Sequence, residues 1–109
     1  MAFDERLAER VRNQIGTRAG LTEKKMFGGL GFLLHGNMSV GVHGGELIVR
    51  LDPQASDAAL AAPGARMFDL TGRPMKGWLM VGADGLRDPA SLARWVRRGL
   101  DYASSLPRK

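Results

Sequence analysis

Residues 38–51, MSVGVHGGELIVRL, alternate apolar side chains with small or polar ones on both sides of the pair Gly44-Gly45, with Ile48 as the exception. A period of two is the pattern of a half-buried β-strand, and a glycine pair between two such runs is typical of a tight hairpin turn. The stretch therefore predicts an antiparallel hairpin at the centre of the chain.

Further strand signals flank this hairpin. On the N-terminal side, residues 25–34 predict one strand interrupted by glycines, and Gly36-Asn37 predicts a turn. On the C-terminal side, residues 66–70 and 77–81 predict two more strands, joined by a loop at residues 71–74. About five short strands are expected in all.

Amphipathic helices are predicted at both ends of the chain. Over residues 4–18, apolar side chains recur every four positions from Phe3 to Ile15. Asp88 and Pro89 begin a C-terminal helix with its own apolar face, and a short helix after Asp52-Pro53 is inserted among the strands. This order predicts an α+β fold, a two-layer sandwich in which the N- and C-terminal helices pack on an antiparallel sheet.

The strand at residues 77–81 is apolar on both of its faces. Trp78 and Met80 lie on one face, and Leu79 and Val81 lie on the other. The terminal helices can cover only one face of the sheet. The inserted helix or self-association would cover the second face, which makes a homodimer one alternative, and a face of an antiparallel sheet that stays solvated is another.

Length and composition set the class of protein. The chain has 109 residues and no cysteine, so we expect one domain over residues 1–109, without disulfides or thiolate chemistry. No run approaches the roughly 18 apolar residues of a membrane span, and the N-terminus has no apolar signal core. A soluble cytoplasmic protein without membrane contact is predicted. The net charge of +5, concentrated in residues 1–25 and 84–109, favours acidic partners, nucleic acid included.

Patterns that carry catalysis or metal binding are missing from the sequence. The serines have no Gly-x-Ser-x-Gly context, and His35 and His43 lack the spacing of metal ligands on a helix. The glycines of residues 28–31 precede strand-like residues instead of the helix that a phosphate loop requires. We expect a non-enzymatic protein with no catalytic residues, no cofactor and no metal. A small-ligand binder or an enzyme remains a third alternative.

Two groups of cations are candidate contact residues. The first group consists of charged residues in loops and at strand ends and is predicted to bind a partner protein. Its members are Lys24, Lys25, Arg50, Arg73 and Lys76. The second group, Arg94, Arg97 and Arg98, lies on the C-terminal helix and is an alternative site of direct nucleic-acid contact. Arg97 is also four residues before Asp101, a spacing that predicts an ion pair.

Five strings are distinctive in their order along the chain. They are KMFGGLGF (25–32), GNM (36–38), LIVR (47–50), TGRPMKGW (71–78) and ASSLP (103–107). Together they resemble the N-terminal domain of the TfoX family of bacterial competence regulators, also called Sxy, in a stand-alone form that lacks the C-terminal domain. The resemblance implies an α/β sandwich around an antiparallel sheet. It also implies a regulatory interaction domain of the transcriptional-coactivator type, with a partner such as the cyclic-AMP receptor protein or RNA polymerase.

Overall fold

The computed structural model describes residues 3–26, 28–68 and 75–108. The helices are α1 (Glu5–Ile15), α2 (Ser56–Ala59) and α3 (Pro89–Ser104), and Ala83–Gly85 form a 3₁₀ turn. The strands are β1 (Leu21–Met26), β2 (Gly29–Leu34), β3 (Asn37–His43), β4 (Glu46–Arg50), β5 (Ala65–Phe68) and β6 (Met75–Val81). None of the described helices is both long enough and apolar enough to cross a lipid bilayer.

The strands form one antiparallel sheet in the order β1-β2-β3-β4-β6-β5, with α1 and α3 packed on it. The predicted α+β class and two-layer arrangement are confirmed. The described sheet has six strands instead of about five, because residues 25–34 do not form a single strand. β1 ends at Met26 and β2 begins at Gly29, and Gly28 adopts the positive φ of 71° that the reversal requires.

The central hairpin is confirmed, with β3 and β4 joined through Gly44 at a φ of 56°. The preceding turn differs by one residue from the prediction. His35 and Gly36 carry the positive φ angles, 50° and 84°, so Asn37 already belongs to β3. Positive φ at two successive residues is the geometry of a two-residue hairpin turn whose twist matches that of the strands.

The main core lies between the sheet and the two long helices. Each helix contributes one apolar face, and the sheet contributes every second residue of its strands. The helical members are Leu7, Ala8, Val11, Ile15, Leu92, Trp95, Val96, Leu100 and Ala103. Asp4 caps α1 by accepting from the Arg6 and Leu7 amides, and Asp88 caps α3 by accepting from the Ser91 amide. The predicted helices are therefore present, although α1 is shorter than residues 4–18.

The inserted helix is also shorter than expected. Asp52 accepts a hydrogen bond from the Gln54 amide at 2.9 Å, which closes a turn ahead of the helix, so α2 begins only at Ser56. Ala59 of α2 packs into the main core. Of the strand predicted at residues 66–70, the part up to Phe68 belongs to β5, and the remainder lies outside the described residues.

A second, smaller core occupies the face of the sheet opposite the helices. It contains Met38, Ile48, Phe68 and Met80, with Met26 and Trp78 packed against it, which confirms that β6 is apolar on both faces. Two glycines leave room for the methionines: a Cβ on Gly31 would lie 2.6 Å from the Met26 Sδ atom, and one on Gly41 would lie 2.6 Å from the Met38 Cε atom. The described side chains of α2 take no part in this cluster, so the expectation that the inserted helix covers the second face is wrong.

Candidate functional site

One arginine is held between two aromatic rings at one end of the sheet. The Cζ atom of Arg50 lies 5.0 Å from the centre of the Trp78 ring and 5.6 Å from the centre of the Tyr102 ring. All three residues are half-buried. We call Arg50, Trp78 and Tyr102 the stacked-arginine site.

Three separate elements build this site. Arg50 ends β4 and is paired across the ladder with Trp78 of β6, so the two side chains share the face opposite the helices. Tyr102 lies in the last turn of α3. The Asn37 side-chain amide donates to the Pro107 carbonyl at 2.8 Å, which fastens the segment after α3 to the start of β3. The rings are therefore fixed by the sheet and by the docking of α3.

The stacked arginine has no acidic partner among the described residues, in contrast to other arginines of the chain. Arg66 and Glu46 approach to 2.6 Å, and Arg12 and Glu23 approach to 2.8 Å. A guanidinium presents five donors in a planar fork that matches a carboxylate. The site can therefore hold a carboxylate from another molecule, with Trp78 and Tyr102 beside it.

The other predicted partner-binding residues do not converge on this site. Lys24 and Lys25 are exposed on the edge strand β1, which β2 and β3 separate from β4. Lys24 pairs with Gly31 and faces the same side as Arg50, whereas Lys25 pairs with Leu30 and faces the helix side. Lys76 is exposed in β6, two residues before Trp78.

Arg73 lies outside the described residues. The structure thus brings Arg50 and the Lys76 region of β6 into one neighbourhood and leaves the two lysines of β1 apart. Their roles in partner binding stay predictions.

The arginines of α3 border a groove between α1 and α3. This cavity of about 300 Å³ is lined by Arg94 and Arg97 from α3 and by Arg18, which follows α1. Buried Ile15 and Val96 are also in its wall. We call it the arginine groove. Gln14 and Asp101 complete its polar lining.

The predicted ion pair between Arg97 and Asp101 does not form, because no contact between the two lies within 4.0 Å. Both side chains are exposed and border the same groove. Arg98, the third predicted nucleic-acid contact, lies 5.0 Å from the centre of the Trp95 ring. Trp95 and Arg98 line a second cavity of about 170 Å³, in which Arg94 also takes part. Arg94 therefore stands between two adjacent cavities.

The shifted pKa values belong to groups that hold the fold together. A side-chain hydrogen bond from Arg12 holds the pKa of the Glu23 carboxyl below its ordinary value, and the same contact raises the pKa of Arg12. Hydrogen bonding from Ser91, first of all from its backbone N–H, lowers the pKa of Asp88, the cap of α3. These shifts have structural causes and do not mark a proton-transfer site.

The described residues do not form a metal site, and the glycines of residues 28–31 do not form a phosphate loop. Within the described ranges, no three His, Asp or Glu side chains are arranged to hold a metal ion. Gly28, Gly29 and Gly31 belong to the β1–β2 reversal and to β2, so no helix N-terminus follows them. Their backbone serves close packing: a Cβ on Gly29 would overlap the Val42 carbonyl oxygen.

Two participants of these sites were missed by the sequence reasoning. Tyr102 contacts Arg50 from 52 positions along the chain, and Arg18 joins the groove from the loop after α1. In the sequence, the spacing of Tyr102 from its apolar neighbours indicates only that it lies on a helix. The packing of α3 across the sheet is what brings these residues to their sites.

Comparison with known proteins places the chain in a family. The family described as the TfoX N-terminal domain matches residues 13–103, which extend from within α1 to the last turn of α3 and include the whole described sheet. No curated protein and no solved structure matches the chain. Since the match covers well over half of the sequence and agrees with the observed fold, the chain belongs to the TfoX N-terminal domain family.

Proposed function

We propose that this chain is a non-enzymatic regulatory domain that binds a partner protein of the transcription machinery through the stacked-arginine site. The TfoX N-terminal domain family is linked to competence regulation. The observation that carries the proposal is the half-buried Arg50, held by Trp78 and Tyr102 and left without an acidic partner among the described residues.

The residue types of this site are those that dominate binding energy in protein interfaces. Tryptophan, tyrosine and arginine are enriched at interface positions where truncation costs most. Stacking on two rings restricts the Arg50 side chain before a partner arrives, so less conformational entropy is lost on binding. The rings also lower the local polarity, which strengthens a charge pair formed there.

The chemistry of the site defines the partner surface. Arg50 would pair with a carboxylate of the partner, and the exposed parts of Trp78 and Tyr102 would pack against apolar side chains next to that carboxylate. Lys76 adds a second cation close by. A protein that displays acidic and apolar residues together fits these requirements. For a domain of this family we propose the cyclic-AMP receptor protein or a subunit of RNA polymerase as that partner.

Binding of the purified chain to each of these two proteins tests the proposal. We expect binding by the wild type and a loss of at least about tenfold in affinity, about 1.4 kcal/mol, with Arg50→Ala. Arg50→Lys keeps the charge and loses the planar fork, so it should bind with intermediate affinity. Biolayer interferometry gives the dissociation constants, and circular dichroism verifies that each variant is folded.

The matched control is Arg98→Ala. This change removes another arginine that lies 5.0 Å from an indole ring and alters the net charge equally, but Arg98 contacts Trp95 and is not one of the three residues of the stacked-arginine site. It should bind the partner like the wild type. Equal affinity of wild type and Arg50→Ala would contradict the site, and failure of both proteins to bind the wild type would contradict the proposed partner class.

A further inference from the structure

Arginines among the described residues differ in whether a carboxylate pairs with them. Arg12, Arg66 and Arg87 each have a carboxylate partner within 3 Å. The three arginines of the arginine groove have none among the described residues, and Arg94 donates only to the Ser91 hydroxyl at 3.1 Å. The groove therefore carries more positive charge than its carboxylates offset, since Asp101 is the one acidic residue of its lining and Asp88 interacts with Arg94 without an ion pair within 4 Å.

Like charges gathered at one surface repel each other unless an anion lies between them. With three guanidinium groups and the single carboxylate of Asp101, the groove lining carries a net charge of +2. Guanidinium groups match phosphate oxygens in geometry and bind them through paired N–H donors. The chemistry of the groove thus favours a phosphate-bearing ligand.

The positive charge extends beyond a single cavity. Arg94 also lines the adjacent cavity of Trp95 and Arg98, so cations border both cavities. Asp84 lies in the wall of this second cavity and is paired with Arg87 at 2.9 Å. Arg94 and Arg98 are one turn apart, which is about 6 Å along the helix axis. Repeated cations suit a polymer with repeated phosphates, whereas a free phosphate ion would need only one cavity.

We propose that the arginine groove, together with Arg98, binds successive phosphates of a nucleic-acid backbone independently of base sequence. This inference goes beyond the proposed function and does not rest on it, because it concerns other side chains and another ligand. The contacts are charge-assisted hydrogen bonds from exposed guanidinium groups. Such contacts fix position on the nucleic acid and carry no sequence information.

Fluorescence anisotropy with a short labelled DNA duplex tests this inference at about 50 and about 200 mM NaCl. We expect wild-type binding in the range of about 10⁻⁴ to 10⁻⁶ M that is typical of non-specific contacts, and weaker binding at the higher salt. The double change Arg94→Ala and Arg97→Ala should lower the affinity at least about tenfold. It should also reduce the slope of log K against log salt by about 1.8, which is two phosphate contacts.

Two matched variants distinguish binding at the arginine groove from an effect of the net charge of the protein. Changing Lys24 and Lys25 to alanine removes the same two charges from the edge strand β1, away from the groove, and should keep most of the affinity. Asp101→Asn removes the carboxylate from the groove lining and should raise the affinity a few-fold. An equal loss in the lysine variant, or no gain in the Asp101 variant, would overturn the assignment to the groove.

Competition defines the ligand class. Inorganic phosphate and ATP should displace the labelled duplex only at concentrations far above that of unlabelled duplex. Displacement by ATP at the concentration of the duplex would show a small-ligand site instead. Displacement by poly-glutamate at equal charge concentration would show a general polyanion surface. Each of these results, like the absence of any wild-type binding at the lower salt, would overturn the proposal.

Discussion

Two arginines of this chain lie over indole rings at the same distance, and their surroundings differ. Arg50 has a second ring on Tyr102 and is half-buried, whereas Arg98 contacts Trp95 alone and is exposed. A cation–π contact at an exposed position is worth about 0.5–1 kcal/mol, and desolvation raises that value. The difference assigns Arg50 to a preorganised contact and Arg98 to an exposed charge beside a groove.

Gly99 lies where α3 packs directly against the backbone of β3. A Cβ at this residue would lie 2.5 Å from the Ser39 carbonyl oxygen and 2.6 Å from the Val40 Cγ1 atom. We expect Gly99→Ala to lower the free energy of unfolding by about 1–3 kcal/mol, since overpacking against fixed backbone outweighs the better helix propensity of alanine. Urea denaturation followed by circular dichroism measures the change.

The control for this prediction is Gly45→Ala. No atom lies within 4 Å of a Cβ built on Gly45, and its φ is not positive. Its effect should stay below about 0.5 kcal/mol. A Gly99→Ala variant as stable as the wild type would mean that α3 can move away from β3 without loss.

Single residues predicted some features of the fold and could not predict others. Asp4 and Asp88 stand before apolar-periodic runs, so both helix caps are local signals that the sequence displays openly. The contact between Tyr102 and Arg50 depends on how two elements distant in sequence pack together. No spacing rule within either element encodes it, which is why the ring that completes the stacked-arginine site was missed.

At the scale of elements, β1 was the hardest part of the sheet to predict. Four of its six residues are exposed, so its sequence LTEKKM has no alternation of buried and exposed side chains. An edge strand has one neighbouring strand, and pairing with that neighbour determines where it forms. β1 pairs with β2, from Leu21 opposite Leu34 to Met26 opposite Gly29. Because the glycines of residues 28–31 also fit a single irregular strand, the sequence did not indicate that the chain reverses direction between β1 and β2.

A side-chain contact between elements holds β1 to α1. Arg12 donates two hydrogen bonds to the Glu23 carboxylate, at 2.8 and 2.9 Å. We expect Glu23→Gln to lower the free energy of unfolding at neutral pH by about 0.2–1 kcal/mol, the range of ion pairs that are partly exposed to solvent. Urea denaturation at a series of pH values measures it.

The effect of this substitution has a defined pH dependence. Since Arg12 lowers the pKa of Glu23 in the folded state, the stabilisation is present above the unfolded-state pKa of about 4.3 and is lost as the pH falls through the lowered value. Wild type and Glu23→Gln should therefore approach equal stability as the pH falls below the lowered pKa of Glu23. Asp57→Asn, at an exposed residue of α2, is the control and should change the free energy of unfolding by less than about 0.5 kcal/mol. A difference that persists unchanged in acid would contradict the role of the Arg12–Glu23 pair.

At the scale of the whole molecule, one sheet carries two cores of unequal size. β4 lies between β3 and β6 and has buried residues on both faces, with Val49 on the helix side and Ile48 on the other. β1 lies at an edge and is largely exposed. The sheet should therefore open from its β1 edge, with β4 exposed to solvent last.

Amide hydrogen exchange followed by NMR tests this order. We expect the amides of Ile48 and Val49 to exchange at the rate of global unfolding and those of Thr22 and Lys24 to exchange several orders of magnitude faster. Equal protection of β1 and β4 would contradict the order and would mean that the edge is covered in solution, as in a homodimer formed through β1.

The two proposed binding sites both use α3 yet draw on different side chains. Tyr102 contributes to the stacked-arginine site, and Arg94 and Arg97 border the arginine groove. Because one helix carries both, a protein partner and a nucleic acid bound at the same time would lie close together.

The methionines that lie against the second face also make it sensitive to oxidants. Met26 lies over Gly31 and is half-buried, whereas Met80 is fully buried beneath its neighbours. Oxidation to the sulfoxide adds a polar, chiral oxygen to a side chain that had fitted by being soft and apolar. Between these two sulfurs, peroxide would reach Met26 first, at the margin of the face, and methionine sulfoxide reductase could restore it. Because Gly31 and Gly41 leave room for methionine side chains, this face contains thioethers that oxidants can attack, whereas aliphatic side chains would resist them.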